Sequence, residues 1–357
     1  MIRWREGVAG QVRRSWAGVV ELDVDTGEGV LPALAYVDLV GRPEPGDRVL
    51  LNTTAYHLGL GTGGFALVVA VPDRLPADPD GPGHLVKARY TPLQTTVLGI
   101  DEPDSPAHDL LADADDLAGM PVVVADLHSA LPAVLAGLYD AAPEASVAYV
   151  MTDGAALPLA LSRTVAGLAR AGWLPAGTVT VGQSFGGDLE AATVHTGLLA
   201  ARLVLGADVA VVTQGPGNLG TGTRWGFTGV AVGEVVNAVA ALGGRAVGAL
   251  RLSQADQRVR HQVVSHHSLT AYGRVALAAA DLAVPDLPGD FGDQVRALVE
   301  PLRDRHRLVR TPVHGLETAL ARSPVALSSM GRGPEQDGAY FVGCAAAGRH
   351  AARLLLG

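Results

Sequence analysis

From Met120 onward the sequence alternates short runs of β-branched residues with segments long enough for helices. The runs at 122–125, 147–151, 179–181, 209–212 and 246–250 lack polar alternation, so each is expected to be a strand buried on both faces. Between them, 130–141, 158–171, 189–205 and 230–242 have helical content. Gly172, Gly206 and Gly243 stand as C-terminal stops. Such βαβ repetition predicts an α/β fold over 120–357, a mostly parallel, doubly wound, Rossmann-like sheet. Strands at 281–284 and 308–311, a helix over 294–305 and an Ala-rich helix over 338–355 are expected to complete it.

The first 71 residues follow a different pattern. Short strand-like runs at 8–13, 18–23, 30–36, 48–52 and 65–71 are separated by turns, and Pro45-Gly46-Asp47 is a reversal feeding the fourth. This spacing predicts a small all-β, barrel-like domain over 1–71. Residues 72–119 are expected to be a linker with a connecting strand, because 72–83, PDRLPADPDGPG, has no apolar period.

Apolar residues make up 48% of the chain, enough for two cores, yet no run approaches the roughly 18 uninterrupted residues of a membrane span. The N-terminal segment has no secretory pattern, and Cys344 is the sole cysteine, so intrachain disulfides and Cys-based zinc sites are excluded. A cytoplasmic location is the expectation. Cys344 lies in an apolar run and reads as a buried, inert thiol. A net charge of −9 and few aromatic residues argue against nucleic acid, leaving small molecules or proteins as partners.

In an open parallel sheet, ligands bind beyond the carboxyl ends of the strands. Here those ends lead into Asp126-Leu127-His128-Ser129, Thr152-Asp153-Gly154, 182–188, 214–223, and a stretch with Arg251, Asp256, Arg258, Arg260, His261, His266 and His267. Helix capping accounts for Ser129, Asp153 and Asp188 but not for the clustered histidines and arginines. The fourth loop carries Gly215, Gly217, Asn218, Gly220, Thr221 and Thr223. It matches G-x-G-x-x-G formally but has neither an early helix nor a ribose-binding carboxylate at the next strand end. Its glycines and hydroxyls read either as an anion cradle, with Arg258 and His261 adding donors, or as a packing loop.

Two further constellations stand out. Gly182-Gln183-Ser184-Phe185-Gly186 fits G-x-S-x-G and resembles the nucleophile elbow of the α/β-hydrolases, which would make Ser184 the nucleophile; the same residues also suit a helix start capped by Ser184. A metal site would have to be assembled across loops from Asp126, His128, Asp153 and His266, since HExxH is absent. Lys87, the only lysine, sits beside His84 and Arg89 on an expected strand. It reads either as an arm toward an anion or as a charge guarding a sheet edge.

Asn52-Thr53-Thr54-Ala55, the run from Leu58 to Gly64, Lys87-Ala88-Arg89-Tyr90-Thr91-Pro92, Gly186-Gly187-Asp188-Leu189-Glu190-Ala191 and Gly220-Thr221-Gly222-Thr223 together resemble a bacterial family of about this length known only as a domain of unknown function. The resemblance implies no activity. The residues themselves point to an enzyme that binds an anionic or phosphorylated small molecule, with Asp126, His128, Asp153 or His266 in acid–base roles. A serine hydrolase using Ser184 and a non-enzymatic ligand-binding or assembly module are the alternatives. Cofactor, metal and substrate are not legible in the sequence, and a homo-oligomer is compatible with it.

Overall fold

The computed structural model describes residues 1–60 and 64–357, so Gly61, Thr62 and Gly63 of the glycine-rich run lie outside the described residues. The chain divides into two units, residues 1–97 with 160–166, and residues 98–159 with 167–357. Among the described residues, no helix is long and apolar enough to cross a membrane.

The first unit is a closed five-stranded barrel. β1 (Trp4–Trp16), β2 (Val19–Asp25), β3 (Val30–Tyr36), β4 (Arg48–Asn52) and β5 (Ala66–Ala70) run in the order β1-β2-β3-β5-β4, and β4 closes onto β1 through Trp4↔Asn52 to Val8↔Arg48. Val20, Leu22, Val24, Ala33, Ala35, Val49, Leu51 and Val68 fill its interior. Alternation along each strand supplies that inward set, and closure leaves no free edge. Gly46 takes φ +97 in the expected reversal before β4. Two short helices, α1 (Val37–Val40) and α2 (Thr54–His57), flank β4. Residues 160–166 belong here because Trp16 Nε1 donates to Ala160 O at 2.6 Å and Arg163 pairs with the buried Glu21 at 2.8 Å. β6 (Leu85–Lys87) and β7 (Thr95–Val97) form a hairpin. Lys87 is wholly buried, so it is not the exposed guard of a sheet edge, and Arg89 lies beyond the strand.

The second unit is built on eight parallel strands: β8 (Pro121–Val124), β9 (Val147–Thr152), β10 (Gly177–Val181), β11 (Leu189–Ala191), β12 (Val209–Gln214), β13 (Arg245–Ala249), β16 (Asp281–Pro285) and β17 (Arg307–Thr311). Their order is β11-β10-β9-β12-β8-β13-β16-β17. A separate two-stranded ribbon, β14 (Leu252–Ser253) with β15 (Val263–Val264), follows β13. The helices are α3 (His108–Leu111), α4 (Leu131–Ala141), α6 (Val194–Leu203), α7 (Val232–Ala241), α8 (His266–Thr270), α9 (Gly289–Val299), α10 (Leu316–Ala321) and α11 (Pro334–Leu356), while α5 (Arg163–Arg170) has its residues 163–166 in the first unit and 167–170 in the second. The expected barrel followed by an α/β, Rossmann-like sheet is the observed architecture.

Three elements differ from expectation. The helix expected from residue 189 begins at Val194, capped by the Thr193 side chain, because Leu189–Ala191 pairs with β10 as an edge strand. The Glu190 carboxylate decides this by accepting from Thr180 Oγ1 at 2.7 Å and Gly186 N at 2.6 Å. The helix expected over 294–305 starts earlier and tightens into a 3-10 turn at Glu300–Asp304, where Pro301 has no amide to donate. The last helix starts at Pro334 and carries a break at Asp337 (φ −145, ψ 56).

Strand alternation divides the core. Val122, Val124, Ala148, Val150, Ala210 and Val212 pack with Leu198 of α6 and Val235, Val236 and Val239 of α7. The opposite face carries α4 and α11, which meet backbone to backbone: a Cβ on Gly348 would lie 1.8 Å from Val134 O, and one on Gly137 1.9 Å from Ala345 O. Gly348→Ala and Gly137→Ala should each destabilise the protein by about 2 kcal/mol or more in urea denaturation. Gly338→Ala, whose Cβ meets nothing within 4 Å, should be neutral or stabilising. Equal effects at all three positions would contradict this packing.

Candidate functional site

β8 and β12 are neighbours, but the chain leaves β8 for α4 on one face and leaves β12 for α7 on the other. Two adjacent strands whose connections diverge leave a crevice beyond their carboxyl ends. Gln214, the last residue of β12, spans it: its Nε2 donates to Asp126 O and to Asn218 Oδ1, each at 2.8 Å. Asn218 Oδ1 also accepts from Thr228 Oγ1 and Gly229 N at 3.2 Å. The long loop is thereby tied back to its own start.

The glycines of that loop are placed mainly by contact. A Cβ on Gly215 would lie 2.3 Å from Ala156 O, on Gly226 1.9 Å from Thr221 Oγ1, and on Gly229 2.9 Å from Asp126 Cβ. Thr221 and Thr223 engage each other at 3.2 Å, and Thr223 Oγ1 accepts from Gly226 N, inside an exposed turn that also holds Gly220. Gly217 is exposed at φ +94.

At the ends of β8 and β13 the chain buries three polar groups together. Asp126 Oδ2 lies 3.3 Å from His267 Nδ1 and 3.5 Å from Arg251 Nη1, while Arg251 Nη1 lies 3.1 Å from the same His267 nitrogen. All three side chains are less than a tenth exposed. Burial alone would raise the proton affinity of Asp126, but the His267 hydrogen bond and the Arg251 charge outweigh it and hold the carboxyl below its ordinary range. Asp126 is therefore an anion. A single imidazole nitrogen either donates to Asp126 or accepts from Arg251, so the tautomer of His267 is set by this competition. Phe227 stacks on the His267 ring at 3.7 Å and 3°. Tyr272 closes the floor, its hydroxyl within 3.1 Å of Val124 O and 3.0 Å of Ala249 O, where α8 passes into a π-turn over Ala271–Val275.

His261 and His266 complete the cluster. The ring centroids of His261, His266 and His267 are 4.5 to 5.0 Å apart, and one ring nitrogen from each lies within 4.8 Å of the others. Ser265 caps α8 by accepting from His267 N, and its Oγ also meets His261 Nδ1 at 2.8 Å. His266 Nε2 is buried and has no hydrogen-bond partner among the described residues. Burial first, then the neighbouring charges led by Arg251 for His261 and by His267 for His266, lowers these rings to about 3 and about 4. Val263, between them, takes φ +60, a conformation that a β-branched residue adopts only when its surroundings impose it.

A family model described as a protein of unknown function (DUF3866) matches residues 32–348. The chain belongs to this family. No curated protein and no solved structure matches the chain.

The other expected site residues are distributed around this centre. Arg258 is committed to Asp256, with Nε and Nη2 at 2.9 and 2.7 Å from its two oxygens, and Arg332 reaches the same carboxylate at 3.2 Å. Asp153 accepts from Gln183 N at 2.8 Å and borders a cleft of about 250 Å³ with Thr152, Gly182, Thr193 and Glu234. Ser184 is fully buried in the turn from β10 to β11, with no helix before Val194. Lys87 lies in the first unit. Among the described residues, the group of three or more metal-type side chains is His261, His266 and His267, not one built on Asp126, His128, Asp153 and His266. Gln214 and Phe227 were not singled out by pattern, and Arg251 and His267 stood out only as members of the polar stretch that follows β13. Arg251 had a signal, since it stands at a strand end where a dinucleotide fold places a carboxylate, and His267 adjoins His266. Phe227 had none.

His128 is buried at the end of β8, its Nδ1 3.0 Å from Tyr149 OH, which lies 2.9 Å from Thr213 Oγ1. Burial lowers its pKa from 6.5 to about 4, against the smaller opposing effect of a hydrogen bond to the Gln214 backbone. The folded protein therefore keeps this ring neutral where the unfolded chain protonates it. Its contribution is full above pH 6.5 and is lost as pH falls through about 4. Urea titrations from pH 7 to 4 should show wild-type stability falling by on the order of 3 kcal/mol more than that of His128→Gln. Parallel pH profiles would refute the assignment.

Proposed function

We propose that the α/β unit is an enzyme acting on an anionic small molecule, phosphorylated or carboxylated, and that its proton chemistry is done at the imidazole cluster beside Asp126. The observation that carries this reading is the burial of Asp126, Arg251 and His267 at the carboxyl ends of adjacent strands. Removing a carboxylate and a guanidinium from water opposes folding, and apolar residues would fill the same space at lower cost, so the arrangement is better explained by chemistry than by stability. Arg251 and His267 face the Asp126 carboxylate, two further imidazoles adjoin His267, and Arg260 approaches the Gly222 turn, so the balance of donors favours a negatively charged ligand.

Asp126 works through His267, fixing the ring and its tautomer, while the unpartnered His266 Nε2 is the position from which an incoming group is met. The neighbouring cleft edged by Thr152, Asp153 and Thr193 gives the ligand room to extend. Mass spectrometry of small molecules copurifying with the protein should yield an anion that raises the melting temperature of the apo protein. With that compound as substrate, Asp126→Asn should lower kcat by about 100-fold or more while the variant still binds it. A copurifying anion that is neither turned over nor affected by Asp126→Asn would reject the reading.

A further inference from the structure

We propose that His261, His266 and His267 together hold one divalent transition-metal ion. The ion deepens the reading above: the imidazole nitrogens that would otherwise meet the incoming group hold the ion, the ion's open position meets that group instead, and the binding is tested without reference to turnover. Three observations carry it.

The first is convergence. One ring nitrogen of each histidine lies within 4.8 Å of the other two. In a tetrahedral site with nitrogen about 2.0–2.1 Å from the ion, the nitrogens stand about 3.4 Å apart. The second is what the remaining nitrogens do. His261 Nδ1 is held by Ser265 Oγ, and His267 Nδ1 lies against Asp126 Oδ2, so Nε2 is the nitrogen that each of these rings has left for an ion, while His266 Nε2 is buried without a partner among the described residues. A carboxylate or hydroxyl behind a ligating imidazole is the arrangement that fixes ring and tautomer in metal sites. Aromatic packing accounts for His267 on Phe227, but it gives His266 Nε2 nothing to bond. The third is the backbone. Val263 at φ +60 and the Ser265 cap turn the chain so that His261, His266 and His267 meet, although they come from a 3-10 turn and a separate helix.

The donor set selects the ion. Three imidazoles without a thiol suit Zn²⁺, Co²⁺ or Ni²⁺ and not Mg²⁺ or Ca²⁺. Three protein ligands leave a fourth position open. The charge balance describes what fills it: the ion, Arg251 and Arg258 together exceed the negative charges of Asp126 and Asp256, so the open position favours an anion.

The test uses the full chain, stripped with a chelator and titrated with Co²⁺ while the visible d–d bands are followed. Wild type should take up one equivalent with the intense bands of a four-coordinate ion. His261→Gln and His266→Gln should each bind about 100-fold or more weakly, Asp126→Asn about 10- to 100-fold more weakly, and His195→Gln like wild type. If the glutamine variants fail to fold, His266→Cys decides: Co²⁺ binding with a new thiolate charge-transfer band places residue 266 on the ion. Absence of saturable Co²⁺ binding by wild type, or binding unchanged in His261→Gln and His266→Gln, would overturn the site even where Asp126→Asn abolishes turnover. Conversely, stoichiometric binding lost in those two variants upholds it even where no substrate is found.

Discussion

Asp126 and Arg251 stand at the carboxyl ends of two adjacent strands, β8 and β13, and neither can leave the interior without the other. A buried carboxylate with no positive neighbour would take up a proton or draw in water, and a buried guanidinium has no neutral form to retreat to. Each therefore fixes the loop that carries it. From this pair the constraint spreads by hydrogen bonds: His267 is drawn to Asp126, Ser268 accepts from Arg251 N, Ser265 N donates to Arg251 O, and Gln214 pins Asp126 O to the long loop. Three loops distant in sequence are thus held in one place, and the histidine cluster lies where they meet.

The sheet supplies the platform. On one face α4 and α11 approach so closely that glycine alone fits at the contact, which makes that layer stiff. On the other face α6 and α7 begin beside the cleft at Thr152 and Thr193. Strands below and hydrogen-bonded loops above is the division expected where a scaffold positions reactive groups. The barrel unit has its own core and closes its own edge, and it is a second folding entity on the same chain.

Most of the fold could be read from the sequence because burial on both faces forces continuous apolar strands, and turn residues punctuate the barrel. What was hidden depended on distant partners. Leu189-Glu190-Ala191 has the composition of a helix and becomes a strand because Thr180 and Gly186 hold Glu190 to the sheet. Of the site, Asp126, His261 and His266 were visible as chemistry-bearing residues at strand ends. Arg258 was visible too, but Asp256, two residues earlier, claims it. The glycines of the long loop could not be apportioned between anion binding and close contact without knowing that Ala156 and Asp126 lie against them. Phe227 announces itself by no spacing at all, since its role is to lie flat on a ring forty residues away.

The most direct test of the central pairing is a double-mutant cycle on folding free energy with Asp126→Asn, Arg251→Met and the double variant. Buried partners at this separation predict that the double variant loses about 1 kcal/mol or more less than the two single losses added together. Losses that add to within about 0.3 kcal/mol would mean that the two charges do not meet, and the gathered site would go with them.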